Sequence, residues 1–169
     1  LFKDNEFSTK GFGPARWLED GSGYTTLEAS VSTDGKDIIK YNPKTGERII
    51  LVSAKSLIPE GGEKPLSMRD YKWSDDGKKL LVFTNTRRVW RYHTRGDYWV
   101  LDLDNGKLQQ IGKSLKATTL MFAKFSPDSQ KIAYVSEQNV YFEDLSSEEI
   151  TALTIDGGDN IINGTFDWA

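Results

Sequence analysis

Trp73-Ser74-Asp75-Asp76-Gly77-Lys78-Lys79-Leu80-Leu81-Val82-Phe83 reads as the end of one strand, a tight polar turn and a second, apolar strand. Asp-Gly supplies the bend, because Gly takes a positive φ without steric cost and Asp bonds the nearby backbone. The same order recurs at Phe125-Ser126-Pro127-Asp128-Ser129-Gln130-Lys131-Ile132-Ala133-Tyr134-Val135, where Pro127 presets a turn torsion. A looser copy opens the chain at Trp17-Leu18-Glu19-Asp20-Gly21-Ser22-Gly23-Tyr24-Thr25-Thr26-Leu27. Each copy is followed by a second hairpin. Residues 37–41 turn through Asn42-Pro43-Lys44-Thr45-Gly46 into 49–52, residues 98–103 through Asp104-Asn105-Gly106 into 108–111, and residues 139–145 through Ser146-Ser147 into 150–153.

Two hairpins per unit make four strands per unit. The origins Trp17, Trp73 and Phe125 lie 56 and 52 residues apart. A four-stranded unit repeated in tandem at that length is the signature of a β-propeller blade. Helical periodicity is nearly absent, so the expected fold class is all-β, a partial β-propeller of about three four-stranded blades. The blades are expected at about 10–56, 68–112 and 119–154, with 160–169 opening the next. Ser56 to Pro65 is a Pro- and Gly-containing connector between blades. Propellers close with about four to eight blades. The chain also begins at Leu1 rather than Met, and it ends inside the aromatic run Phe166-Asp167-Trp168-Ala169. Both observations lead us to expect a piece of a longer protein.

Composition narrows the function. Among 169 residues there are 22 basic and 25 acidic ones, a net charge of −3, which argues against a dedicated nucleic-acid binder. Apolar residues make up 37% and aromatics 12%, so the core is expected to rest on Trp, Tyr and Phe. No run of apolar residues is long enough to span a membrane. Cysteine is absent, which excludes disulfides, zinc-thiolate sites and thiol nucleophiles.

Few residues suggest chemistry. His93 is the single histidine, and no Ser sits in a Gly-x-Ser-x-Gly elbow, so no catalytic triad is visible. Asp102, Asp104 and Asn105 lack the spacing of a calcium loop and read as a hairpin turn. Asp156 to Asn160 reads as a plain loop, and Asn163-Gly164-Thr165 matches a glycosylation acceptor. We therefore expect no catalytic residue, metal or cofactor within this chain.

The unusual segment is Thr86-Arg87-Arg88-Val89-Trp90-Arg91-Tyr92-His93-Thr94-Arg95-Gly96-Asp97-Tyr98-Trp99. Three readings remain open from its residues alone. Its arginines could snorkel over aromatic faces in a strand pair. Rings and guanidinium groups could form a nucleic-acid patch, although the charge elsewhere opposes it. An Arg could instead point into a pore or pocket and donate to a carbonyl or carboxylate. A continuous strand would put residues 87, 89, 91 and 93 on one face and 88, 90 and 92 on the other.

Trp90-Arg91-Tyr92-His93 followed by Tyr98-Trp99-Val100-Leu101-Asp102-Leu103 resembles the N-terminal propeller of dipeptidyl peptidase IV-type serine peptidases, of the prolyl oligopeptidase family. Phe125-Ser126-Pro127-Asp128 and Asn163-Gly164-Thr165-Phe166-Asp167-Trp168 carry the same resemblance, in the expected order. It implies a parent with an eight-bladed propeller and a C-terminal α/β-hydrolase domain that releases N-terminal dipeptides with Pro or Ala second. It implies that Arg91 binds substrate by donating to a backbone carbonyl of that dipeptide. A Glu pair for the free amine and the catalytic Ser, Asp and His would lie beyond Ala169. The 169 residues alone are then expected to be inactive. Arg87, Arg88, Arg95 and His93 carry no implied role, and salt bridges along the blade are the expectation for them. The implied partners are a peptide with a free N-terminus, the remaining blades and the hydrolase domain. The exposed blade edges also suggest self-association. Bacterial members are commonly exported, which suggests a periplasmic or cell-surface parent. Prolyl tripeptidyl peptidases share the fold, and the alternative is a non-catalytic TolB-like propeller that binds other proteins.

Overall fold

The computed structural model describes residues 14–165. Its strands form three four-stranded antiparallel sheets, each a simple up-and-down meander. The first contains β1 (Arg16–Trp17), β2 (Tyr24–Ala29), β3 (Lys36–Tyr41) and β4 (Arg48–Val52). The second contains β5 (Asp70–Trp73), β6 (Lys79–Val89), β7 (Tyr92–Asp102) and β8 (Leu108–Ile111). The third contains β9 (Met121–Phe125), β10 (Lys131–Ser136), β11 (Asn139–Asp144) and β12 (Ile150–Ala152). One short 3₁₀ turn, Ala54–Leu57, is the helical element among the described residues. The architecture is that of a partial β-propeller. Of the stretch expected to open a further blade, Phe166 to Ala169 lies outside the described residues, and 160–165 contributes one isolated bridge, Gly158 to Ile161.

The turns show why this sequence folds into these hairpins. Asp76 accepts from the Ser74 hydroxyl at 2.6 Å and from the Lys78 amide at 3.0 Å, and Gly77 takes φ +68°. Asp128 repeats the arrangement with Ser126 and Gln130, and Ser129 holds φ +58° at the position of Gly77. The second hairpins share another device. Asn42, Asp102 and Asp144 each accept amide hydrogens from the residues two and three positions on. Each is followed four residues later by a positive φ, at Gly46, Gly106 and Glu148. A side-chain oxygen that mimics a backbone acceptor fixes the bend locally. Asp102 thus belongs to a turn, as its neighbourhood suggested.

The chain divides into two compact units, 1–55 and 56–169. In the first, Ile38 and Ile39 are fully buried, and Asp37 accepts the Ala54 amide at 2.7 Å. Glu28 binds Tyr41 at 2.6 Å and Arg48 at 2.9 Å on the surface. In the second, the core lies between the second and third sheets. Leu81, Phe83, Tyr98, Val100 and Ile111 from one sheet pack with Ala123, Ile132 and Tyr134 from the other. Phe83 stacks on Tyr98 at 4.6 Å, and Tyr134 on Tyr141 at 5.8 Å. The expectation of a core resting on Trp, Tyr and Phe is thereby corrected. Among the described residues the buried apolar side chains are mostly Leu, Ile and Val, the buried aromatics are Tyr71, Phe83, Tyr98 and Tyr134, and no Trp is buried. Flat aliphatic strand faces pack between sheets at about 25 cal/mol per Å² without a polar ring edge to satisfy.

Candidate functional site

Two strands outgrow their sheet. Strands β6 and β7 each run for 11 residues, whereas their neighbours β5 and β8 have four. β5 pairs with Leu80 to Phe83, and β8 pairs with Tyr98 to Leu101. Residues 85–96 therefore form a two-stranded arm with no flanking strand, reaching about 15–20 Å beyond the sheet at the usual rise per residue. The arm contains four arginines and no acidic residue.

Its tip is a two-residue turn, Trp90-Arg91, closed by the pair Val89 and Tyr92. Trp90 takes φ +57°, a conformation that costs an ordinary residue about 1 kcal/mol or more. The indole is 82% exposed and Tyr92 is 73% exposed, so the strain is not offset by burial. Arg88 Nε donates to the Trp90 carbonyl at 3.1 Å and steadies the turn. Arg91 is exposed at the second turn position, and among the described residues its guanidinium has no hydrogen bond or ion pair. This corrects the strand reading of the segment. Residues 87, 89, 91 and 93 do not share one strand face, because the chain reverses at 90–91 and bulges shift the register between Thr84, Arg87 and Arg88.

The base of the arm is held tightly. Asp97 is buried and accepts from the Asn85 side chain at 2.7 Å and from the Thr118 amide at 2.6 Å. Gly96 exchanges both backbone hydrogen bonds with Leu120, each at 3.1 Å. A Cβ on Gly96 would meet the Phe83 ring at 2.5 Å and the Thr84 carbonyl at 2.7 Å, so this contact requires glycine. Thr84 donates to the Ser67 carbonyl at 2.8 Å. These bonds tie the arm to the third sheet's entry and to the loop before β5. None of the anchors was singled out in the sequence, since their partners are up to 24 residues away in the chain.

His93 is half-buried, and its Nδ1 shares a hydrogen bond of 2.7 Å with the Thr86 hydroxyl across the arm. That bond fixes the ring as a structural brace. Beside it lies a pocket of about 190 Å³ lined by Tyr71, Phe83, Tyr98 and Phe122. Burial pushes the Tyr98 hydroxyl up to about 12, so it stays protonated at physiological pH. Phe122 holds φ +57° at this pocket with its ring 45% exposed. On the other side of the arm, Arg87 and Arg95 are directly opposed partners. The expected salt bridges of Arg87, Arg88 and Arg95 do not form among the described residues, since the arm itself carries no carboxylate.

A family profile described as the dipeptidyl peptidase IV (DPP IV) N-terminal region matches residues 74–169, which include the arm, its anchors at Gly96 and Asp97 and the whole third sheet. The chain belongs to the DPP IV N-terminal region family. Probable dipeptidyl-aminopeptidase B from Neosartorya fischeri is 29% identical over 157 residues, covering 89% of this chain and 16% of that protein. Its counterpart from Aspergillus clavatus is 32% identical over 146 residues, covering 86% and 15%. The chain thus spans about one sixth of the length of these curated relatives. Porphyromonas gingivalis dipeptidyl peptidase 4 superposes with a TM-score of 0.74 at 25% identity, covering 91% of this chain and 21% of that structure. The tricorn protease gives a TM-score of 0.53 at 18% identity, covering 83% and 13%, a likeness of fold. As a DPP IV-type propeller region, the chain presents its unpaired, exposed arginine at the end of a braced arm.

Proposed function

We propose that this chain is the substrate-gating part of the propeller of a DPP IV-like serine exopeptidase, with Arg91 as its substrate-binding residue. The parent protein releases N-terminal dipeptides, with Pro or Ala second, through a hydrolase domain outside this sequence. Arg91 donates from its fixed, always-charged fork to a backbone carbonyl of the bound N-terminal dipeptide. The peptide substrate and the remaining blades and hydrolase domain are its partners, and the parent works at the cell surface or in the periplasm. The observation that carries this reading is the position of Arg91. It stands without a partner at the exposed tip of an arm whose base is braced by Asp97, Gly96 and Thr84. A group held out on a rigid support loses little freedom when it binds, which favours recognition.

The test compares the full-length parent with its Arg91→Ala variant on a chromogenic Gly-Pro substrate. A hydrogen bond from a charged group contributes about 1.5–3 kcal/mol, so kcat/KM should fall roughly ten- to 150-fold. Turnover without that loss would remove Arg91 from the site. A folded parent inactive on several dipeptide substrates would point to a protein-binding propeller instead.

A further inference from the structure

A second pocket, of about 240 Å³, opens where the arm meets the loop before β9 and the β10–β11 turn. Arg87, Arg95 and Lys116 line it, with Glu137 as the single acidic residue in its wall among the described residues. Arg87 and Arg95 sit opposite one another across β6 and β7, a placement that repels and destabilises the strand pair unless something compensates. Neither makes an ion pair among the described residues. Lys116 approaches Glu137 only to 3.7 Å, with both side chains largely in solvent. Glu137 and Gln138 form the two-residue β10–β11 turn at φ +44° and +62°, left-handed positions that usually fall to Asn and Gly. The turn brings the acid into the pocket wall, and both arginines lining the pocket are exposed. The nearby hydroxyls are already committed, since Thr118 donates to the Ala117 carbonyl and Thr119 to the Lys116 carbonyl. Among the described residues the wall therefore offers cationic donors, three basic side chains against one acidic one.

We infer that this pocket is a carboxylate-binding site, with Arg87 and Arg95 as the paired forks and Lys116 as the supporting charge. Planar guanidinium groups match the two oxygens of a carboxylate, and ligand charge removes the repulsion that the register creates. The pocket, of about 240 Å³, has room for an Asp or Glu side chain or a small dicarboxylate. Two sources supply such a group: an acidic residue of a bound peptide, or a free dicarboxylate. The peptide source rests on the peptidase reading above; the free source does not.

The experiment uses the full-length chain as wild type, R87Q/R95Q and R91A, at low ionic strength, where such charges are least screened. Succinate is titrated by calorimetry. Separately, two peptides with free N-termini that differ only in a Glu or Gln downstream of the first two residues are compared for binding. If a peptide supplies the group, the Glu peptide binds about three- to tenfold more tightly to wild type, the range of a partly exposed ion pair or two. That advantage disappears in R87Q/R95Q and persists in R91A. If the source is free, succinate binds wild type, R87Q/R95Q loses it, and the two peptides do not differ. Both arginines are exposed, so their Gln variants should fold, and R87K/R95K should keep part of the affinity. The site is refuted if neither succinate binding nor the Glu preference differs between wild type and R87Q/R95Q. A folded parent that is inactive on dipeptide substrates but still binds succinate through Arg87 and Arg95 would overturn the peptidase reading and leave this one standing.

Discussion

Glu143 offers the most direct test of how the second and third sheets are held together. It lies in β11, is 2% exposed, and its Oε2 accepts the Gly112 amide at 2.8 Å and the Tyr134 hydroxyl at 3.3 Å. Gly112 follows β8, so the first of these bonds joins the two sheets. Burial raises the Glu143 carboxyl above its ordinary value, and the amide and hydroxyl donors only partly oppose this. Glu143→Ala removes the acceptor and orphans two donors. At about 1–3 kcal/mol for each buried donor, plus the cavity left behind, the loss should be about 3–5 kcal/mol. That is a large share of the roughly 5–15 kcal/mol that a domain has in total. Glu143→Gln keeps an oxygen for both donors and removes the buried charge, so it should cost less than about 1 kcal/mol near neutral pH.

The pH dependence carries the sign. A carboxyl whose folded value is raised binds more protons in the folded than in the unfolded chain, so its stabilisation is present at low pH and is lost as pH rises through that folded value. Relative to wild type, Glu143→Gln should therefore gain stability as pH rises from the ordinary carboxylate range towards neutrality. Carboxylates shifted the other way, such as Asp144 beside Lys131, act equally in both proteins and cancel from the difference. Denaturant midpoints of wild type and both variants at several pH values between 5 and 8 measure this, with amide exchange at Gly112 as the local readout. If Glu143→Gln loses as much as Glu143→Ala, and the loss grows with pH, the carboxylate is preferred as an ion and the argument fails.

Gly96→Ala should lower stability by about 1–3 kcal/mol and loosen the arm, because its methyl group meets the Phe83 ring and the Thr84 carbonyl; faster amide exchange at Leu120 would report the broken bridge. Trp90→Gly should leave the thermal midpoint unchanged or slightly higher, since relief of the positive φ offsets the added chain entropy. A loss above about 2 kcal/mol would mean that the indole packs against something. The 169-residue chain on its own should self-associate in light scattering, given apolar residues such as Ile49, Ile50 and Phe122 at its exposed sheet surfaces; a strictly monomeric species would count against this.

The turns and sheet order were legible in the sequence because their causes are local. Asp76-Gly77, Pro127-Asp128 and Asn105-Gly106 state the bend within a few residues, and the aromatic and apolar runs around them state the strands. The arm was legible as unusual, and Arg91 as its candidate, but its geometry was not. The turn at Trp90-Arg91 contains none of Gly, Asn or Asp, so alternation invited a continuous strand through it. Phe122, Ser129 and Glu148 are likewise in left-handed backbone that their residue types do not announce. The opposition of Arg87 and Arg95 depends on bulges, and a one-residue change of register would place them on different faces. Asp97 reads as an ordinary strand residue until Thr118 arrives from beyond the sheet.

The proposed binding group at Arg91 and the stabilising contacts lie at opposite ends of the arm. Its base is glycine-tight, buried and bonded to the next sheet, so changes at Gly96 or Asp97 act on folding. Its outer part has no flanking strand, exposes two aromatic rings and four arginines, and keeps a strained turn. Such a segment adds little to the core, and interactions there contribute little to folding in high dielectric. A strained, charged, solvent-facing tip persists only because the base over-determines it. It follows that substitutions at Arg91, or at the Arg87 and Arg95 pair, should register in binding while leaving the unfolding midpoint nearly unchanged, and that base substitutions should do the reverse. An arm whose tip variants unfolded as readily as its base variants would be a stabilising element of the blade, and its arginines would need a structural explanation instead.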